Sequence, residues 1–275
     1  MSKGMKSEFA KILMYIFLGL IFIASIYPIY WMLSASTLAN SDIFKKLTPG
    51  TNLMDNFNIL QEAMPIWRIL FNSTFVSGII TISTVFFGAL AGYAFAKFNF
   101  KWREPLFFIV LLTMMLPIQI TLVPLFIIMT NLGWTDSYLA LIIPFMVTPF
   151  SVFLMRQQML NFPTELIESA RMDGSSEFNT FIKIVLPTMK SACAAVAIIT
   201  FMQQWGNFIY HLVVINSDTM YTVPLMLSMM VQPGHVIHYG AVMLAAIIGL
   251  IPMIILFLFF QKHFISGALS GSVKG

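Results

Sequence analysis

Charge is what this sequence has least of. Only 9% of its 275 residues are Asp, Glu, Lys or Arg, where soluble domains carry roughly 25%. The chain is 59% hydrophobic, with 27 Phe and 21 Met. No polar surface would cover such a core in water, so a soluble fold is excluded. Cysteine is almost absent. Cys193 stands alone in an apolar run, which rules out an internal disulfide and reads as a small packed filler. Basic blocks are missing too. A formal charge of +4 spread over the chain is no nucleic-acid footprint, and no nucleic acid is expected as a partner. No glycine-rich nucleotide loop occurs, so the chain is not expected to bind ATP or another cofactor itself. The histidines are His211, His235, His238 and His263. Only His235 and His238 are close together, and two ligands without a third make no metal site. No nucleophile–base–acid set is present, so the chain is expected to do no catalysis.

What the sequence has is long apolar runs. A helix needs about 20 apolar residues to cross a bilayer. Six segments qualify, near 12–35, 70–96, 106–129, 138–155, 192–215 and 238–260. The expected fold class is all-α, a polytopic membrane protein with six transmembrane helices forming a single domain over 1–275. Lys3, Lys6 and Lys11 precede the first segment as a signal peptide's basic region would. Its apolar run of about 24 residues exceeds the usual 7–15, so it reads as a retained span.

Positive charge sets direction. With the N-terminus inside, Lys3, Lys6, Lys11, Lys97, Lys101, Arg103, Arg156, Arg171, Lys183, Lys190, Lys262 and Lys274 fall inside. Lys45, Lys46 and Arg68 fall outside. Both termini are therefore expected in the cytoplasm. The outer stretches, about 36–67 and 216–237, are long enough to meet an external partner or to serve as plain linkers.

Within the spans there is no Asp or Glu; Glu104 and Asp136 sit at loop edges. A proton- or sodium-coupled carrier needs a carboxylate for its coupling ion, so self-powered coupling is disfavoured. The polar groups that do occur there are neutral. Gln119 sits beside Pro117. The run "MQQWGNFIYH" brings Gln203, Gln204, Trp205, Asn207, Tyr210 and His211. On a continuous helix Gln203, Asn207 and Tyr210 share one face, with Gln204 and His211 on the next. Amides beside an aromatic ring suit a neutral polyhydroxylated solute. They equally suit amides that hold helices together. Gly88 and Gly92 form a small-xxx-small pair in the second segment. Pro117 and Pro124 should interrupt the third, and Pro144 and Pro149 the fourth.

One insert breaks the greasy pattern: "ELIESARMDGSSEFNTFIKIVLP", from Glu165 to Pro187, on the expected cytoplasmic side. Thr164 is placed to cap a short helix, with Glu165 and Glu168 near its N-terminal dipole end. Gly174 permits the left-handed residue that ends it. Phe178, Phe181, Ile182 and Val185 then give a second amphipathic run, closed by Leu186 and Pro187. A docking elbow and a mere surface loop both fit that pattern.

The insert resembles the cytoplasmic signature of the integral-membrane subunits of bacterial ABC importers. That signature is Glu-Ala-Ala, three residues, Gly, nine residues, then Ile-x-Leu-Pro. Here it reads Glu168-Ser169-Ala170, three residues, Gly174, nine residues, then Ile184-Val185-Leu186-Pro187. Ser169 for the first Ala is the single departure. "AGYAFAKFNFKWRE" and the ending "QKHFISGALSGSVKG" are similar to the shorter permease subunit of the maltose-type, carbohydrate-importing branch. The resemblance implies that the 163–187 elbow is a coupling helix seated on a separate ATPase. Glu168, Ser169, Ala170, Asp173, Gly174, Ile184, Leu186 and Pro187 would carry the coupling, and the tail over 261–275 would lie against the ATPase as well. It further implies a complex: a second homologous permease, two ATPase subunits holding ATP and magnesium, and an extracytoplasmic solute-binding protein, all in or on a bacterial cytoplasmic membrane with its lipid. The substrate expected is a neutral sugar or oligosaccharide. A glycerol phosphate permease is the nearest alternative; a stand-alone channel or ion-coupled carrier is another.

Overall fold

Proline and glycine, more than hydropathy, decide where these helices stop. The computed structural model describes residues 3–234 and 236–270; His235 and residues 271–275, part of the expected tail, lie outside them. The helices are α1 (Lys3–Ala35), α2 (Leu53–Ala63), α3 (Ile66–Lys97), α4 (Arg103–Met114), α5 (Ile118–Asn131), α6 (Tyr138–Ile142), α7 (Pro149–Leu160) and α8 (Thr164–Met172), followed by α9 (Glu177–Thr180), α10 (Leu186–Thr188), α11 (Lys190–Trp205), α12 (Ile209–Val214), α13 (Val223–Met229) and α14 (Tyr239–Ser270). A π-helical turn over Phe181–Val185 joins α9 to α10, and 3-10 turns cover Ile143–Phe145 and Asp218–Met220. Among the described residues there is no strand.

Among the described residues, four stretches are long and apolar enough to cross a membrane: Lys11–Ala35, Ile66–Lys97, Tyr138–Leu160 and Tyr239–Phe259. Two bent pairs raise the number to 6 if each is one span. α4 and α5 meet at 101°, and Glu177–Thr188 meets α11 at 82°.

Two sequence expectations change here, at Pro124 and over 192–215, while the breaks expected at Pro117 and at Pro144 and Pro149 are present. Pro117 does break the third segment, because it lacks an N–H and pushes its neighbour out of helical geometry. Pro124 does not; it sits inside α5. In the fourth segment Pro144 lies in the 3-10 turn and Pro149 opens α7, where a missing N–H costs nothing. The segment 192–215 is not one helix. α11 ends at Trp205 and α12 starts at Ile209, with Gly206, Asn207 and Phe208 between them.

The chain divides into two compact units. One holds the residues up to Ile66 with Leu227–Ile251; the other holds Trp67–Met226 with the segment from Pro252. In the first, Ala35, Leu38 and Ile43 form a small core with Trp31, Tyr239 and Met243. Buried Asn56 of α2 donates to the carbonyls of Ser36 (2.8 Å) and Leu38 (2.9 Å). Gly240 is required beside it, since a Cβ there would collide with the Asn56 amide. α1 is apolar on every side and keeps Phe17, Phe22 and Ile23 exposed, the surface of a helix solvated by lipid or by another chain.

In the second unit, α3 and α7 approach closely through Gly88 and Gly92. A Cβ on Gly88 would strike Ser151, and one on Gly92 would lie 2.6 Å from Met155 Cβ and 2.8 Å from Arg156 N. The small-xxx-small pair is therefore a packing seam. Around it Ala89, Tyr93, Met155, Met159, Phe162, Ile167, Phe181, Val185 and Val196 form one buried cluster. Residues 215–222 are riveted from two sides. Asn72 of α3 donates to the carbonyls of Thr219 and Tyr221, both at 2.9 Å, and accepts from Tyr138 Oη. Asp136, at φ 57°, accepts from Asn216 N, Ser217 N and Ser217 Oγ at 3.0 Å each. Burial alone would raise the Asp136 carboxyl; those hydrogen bonds outweigh it and hold it below its ordinary range.

Candidate functional site: the elbow and the neutral cavity

Two places in the second unit collect the residues singled out by the sequence. The first is the 163–187 insert. α8 is amphipathic: Ile167 and Ala170 are buried three residues apart, while Glu165, Leu166, Glu168, Ser169, Arg171 and Met172 face outward. Thr164 is not the cap expected of it. Extended Pro163 precedes the helix, and Thr164 Oγ1 instead accepts from Lys97 Nζ at 3.2 Å.

The C-terminal end of α8 is a complete Schellman motif. Ser175 N donates to Ala170 O at 2.9 Å and Gly174 N to Arg171 O at 3.0 Å, with Gly174 at φ +78°. Nothing lies within 4 Å of where its Cβ would be, so Gly174 is there for its backbone and not for want of room inside the chain. Ser176 then caps the next turn, its Oγ accepting from Asn179 N at 3.3 Å. Across the turn Arg171 Nε donates to Glu177 Oε1 at 2.5 Å. That bond holds the Glu177 carboxyl below its ordinary value and raises the Arg171 guanidinium in return.

The motif residues do not all point one way. Glu168, Ser169, Asp173, Gly174 and Pro187 are exposed, Ile184 and Leu186 are half-buried, and Ala170 is 5% exposed. Ala170 is small so that α8 can lie on its own chain. Exposed Met172, at 89%, and Leu166 are apolar groups on the outer face that the motif spacing did not single out. A methionine exposed on an otherwise charged helix was the available signal.

The second place is a cavity of about 570 Å³ between α5 and the α11–α12 break. It is lined by Ile118, Gln119, Leu122, Gln203, Gln204, Gly206, Asn207, Phe208, Ile209 and Tyr210. No lining residue is charged. The structure thus brings together Gln119, Gln203, Asn207 and Tyr210, although no continuous helix face unites them. Trp205 and His211 do not join. Trp205 is buried and stacked on Phe201 at 5.5 Å. His211 is buried, with Nδ1 3.0 Å from Thr222 Oγ1. Both were expected beside the solute path. Trp205 is the last residue of α11, two positions from Gln203 and so on the opposite side of the helix, and His211 lies beyond the Gly206–Phe208 break on α12. Tyr210 donates to Ala140 O at 2.9 Å, so its hydroxyl proton is already committed. Asn207 Nδ2 reaches Gln204 Oε1 at 3.4 Å.

The chain matches the family model described as "Binding-protein-dependent transport system inner membrane component" over residues 84–268. It belongs to that family. Similar curated relatives span nearly its whole length. The arabinooligosaccharides transport system permease protein AraQ of Bacillus subtilis (strain 168) is 36% identical, over 96% of this chain and 96% of its own. The lactose transport system permease protein LacG of Rhizobium radiobacter is 33% identical over 100% of both. The sn-glycerol-3-phosphate transport system permease protein UgpE of Escherichia coli (strain K12) is 31% identical over 88% of this chain and 90% of its own. Among solved structures, a bacterial ABC transporter involved in the import of the acidic polysaccharide alginate has the same fold, with TM-score 0.85 at 20% identity over 96% of this chain and 99% of that one. The permease is a multi-pass component of a membrane transport system, not an enzyme. Its family implies work in a complex with an ATPase and a binding protein.

Proposed function

We propose that this permease is one of two homologous membrane subunits of an ATP-driven importer for a neutral sugar or oligosaccharide. The observation that carries the sugar reading is the cavity. Its lining offers three Gln, one Asn and two aromatic rings, and no charge. Hydroxyl groups both donate to and accept from amides, and a neutral solute entering pays no ionic desolvation. The arabinooligosaccharide and lactose relatives support the same class.

In this reading six segments cross the membrane, with both termini cytoplasmic by the Lys and Arg asymmetry. The bent pair α4–α5 serves as one broken span, and α11 with α12 as another, while the elbow stays on the cytoplasmic side. Such breaks are tolerated where helices border a cavity. The elbow seats on an ATPase subunit through Glu168, Ser169, Asp173 and Gly174, with Met172 as an apolar anchor. ATP and magnesium stay on that partner, and this chain holds no cofactor. The solute-binding protein delivers substrate from outside.

A second reading is favoured by the relative that serves sn-glycerol-3-phosphate. A phosphate is best held by a cation that offsets its charge, and no lining residue of this cavity is charged.

The test is reconstitution. The permease is co-purified from its native membrane, its companions identified, and uptake measured with an arabinooligosaccharide, lactose and sn-glycerol-3-phosphate. Stoichiometric ATPase and a second permease, with uptake of a neutral sugar, are expected. Uptake of the phosphate ester alone would overturn the sugar reading. A homo-oligomer without ATPase would overturn the importer.

A further inference from the structure

The elbow is tied to the membrane bundle at two points, and both ties come from one face of one helix. Tyr93 and Lys97 lie four residues apart at the C-terminal end of α3 and so point the same way. Lys97 Nζ donates to Phe162 O at 2.6 Å and to Thr164 Oγ1 at 3.2 Å, which fixes the entry into α8. Tyr93 Oη donates to Glu177 Oε2 at 3.3 Å, which fixes the arm leaving it. Glu177 Oε1 already accepts from Arg171 on α8. A push on α8 therefore reaches α3 by two routes: through Arg171, Glu177 and Tyr93, and through Thr164 and Lys97. The Tyr93 ring is 3% exposed and packs on Phe181 at 5.5 Å, so its hydroxyl cannot swing away without disturbing the core.

We propose that Tyr93 and Lys97 are positioning residues that make the elbow and α3 one rigid body, so that movement of the ATPase contact is delivered to the membrane as movement of α3. The proposal rests on the reading of the elbow as the ATPase contact. Neither residue touches substrate or nucleotide. Without the two ties, α8 would slide against the bundle while the partner completes its cycle.

The experiment uses the whole complex, and its distance readout needs no knowledge of the substrate. Spin labels are placed at Asn179→Cys on the elbow and Ile82→Cys on α3, with the single native thiol removed by Cys193→Ser. Their separation is measured without nucleotide and after trapping with ATP and vanadate. With the ties intact the separation stays the same in both states. In Tyr93→Phe/Lys97→Met it shifts on trapping by about 5 Å, of the order of one helical turn, and uptake per ATP hydrolysed falls at least ~10-fold, a loss of about 1.4 kcal/mol of coupling. Lys97→Arg, which keeps a donor at that point, retains the unchanged separation. An unchanged separation in the double variant, with ATPase still bound, overturns the clamp and leaves the elbow reading standing. Failure of the ATPase to purify with the unmodified permease overturns both. If the double variant does not reach the membrane, Tyr93→Phe, which removes one oxygen atom, is read by the same two outcomes.

Discussion

The elbow and the cavity belong to the same unit and are made of opposite materials. The elbow concentrates charge: Arg171 on Glu177, Lys97 on the chain entering α8, and a helix end with its carbonyls satisfied by a Schellman turn. The cavity has no charge, and the helix beside it is unwound at Gly206–Phe208. A part that transmits force gains from polar contacts with fixed geometry. A part that lets a neutral solute by gains from polar groups that hold it weakly. The difference shows how one permease separates the two tasks, by where it spends its few charges.

The sharpest way to break the contrast is at Gly174. Gly174→Asp is expected to reduce sugar uptake to background while the protein stays in the membrane. The left-handed residue costs a side chain only about 1–2 kcal/mol, and the space around it is open. The loss should therefore come from the face offered to the partner. Gly174→Asn matches Asp in size and backbone tolerance without the charge, and retention of ATPase with partial uptake is expected for it. Equal loss in both, by uptake and co-purification, would put bulk ahead of charge.

Moving charge into the cavity is the converse experiment. Asn207→Asp should lower neutral sugar uptake by ~10-fold or more, because a carboxylate there must find partners or neutralise. Uptake measured from pH 5.5 to 8 should recover toward the acid end, where the new carboxyl is protonated. A smaller effect is expected from Gln203→Ala. Loss of one hydrogen bond of about 0.5–1.5 kcal/mol raises the half-saturating sugar concentration by about 2–10-fold, with the maximal rate kept. No change for any transported sugar would remove the cavity from the path.

The smallest expected effect is on the elbow's own ion pair. The Glu177 carboxyl is held below the ordinary value of 4.5, first by its hydrogen bond from Arg171. Its contribution is thus complete at neutral pH and is lost as pH falls below 4.5 through the lower folded value. Both side chains are partly exposed, at 42% and 43%, so less than about 1 kcal/mol is at stake. A spin label on α9 should gain mobility only in that acid window, and Glu177→Gln should remove the pH dependence.

The two regions were not equally legible in the sequence. The elbow was read almost residue by residue, because its determinants are local. A glycine at a helix end and a fixed spacing need nothing from elsewhere in the chain. Ala170 and Thr164 were exceptions, since which face of α8 turns inward depends on the cluster it packs against, and Lys97 of α3 donates to the Thr164 hydroxyl that was expected to cap the helix. The cavity was legible in its parts and misread in its frame. Gln119, Gln203, Asn207 and Tyr210 were identified by type, but a helix assumed unbroken through Gly206 misplaced His211, and Trp205 was named for its ring although it packs on Phe201 inside the bundle. Tyr93 and Lys97 passed unnoticed as ties. Their partners lie 65 to 84 residues away, and no local pattern announces a contact of that range.

The right-angle break between α4 and α5 has an electrical consequence. α5 begins at Ile118, in the wall of the cavity, with Gln119 next to it. The first amides of a helix have no preceding turn to bond, and they carry the positive end of its dipole. Across the cavity α11 ends at Trp205, where the last carbonyls carry the negative end. A passing solute therefore meets two helix ends of opposite polarity, the N-terminal end of α5 and the C-terminal end of α11. A hydroxyl can answer both at once, and changing any one side chain would leave that polarity in place.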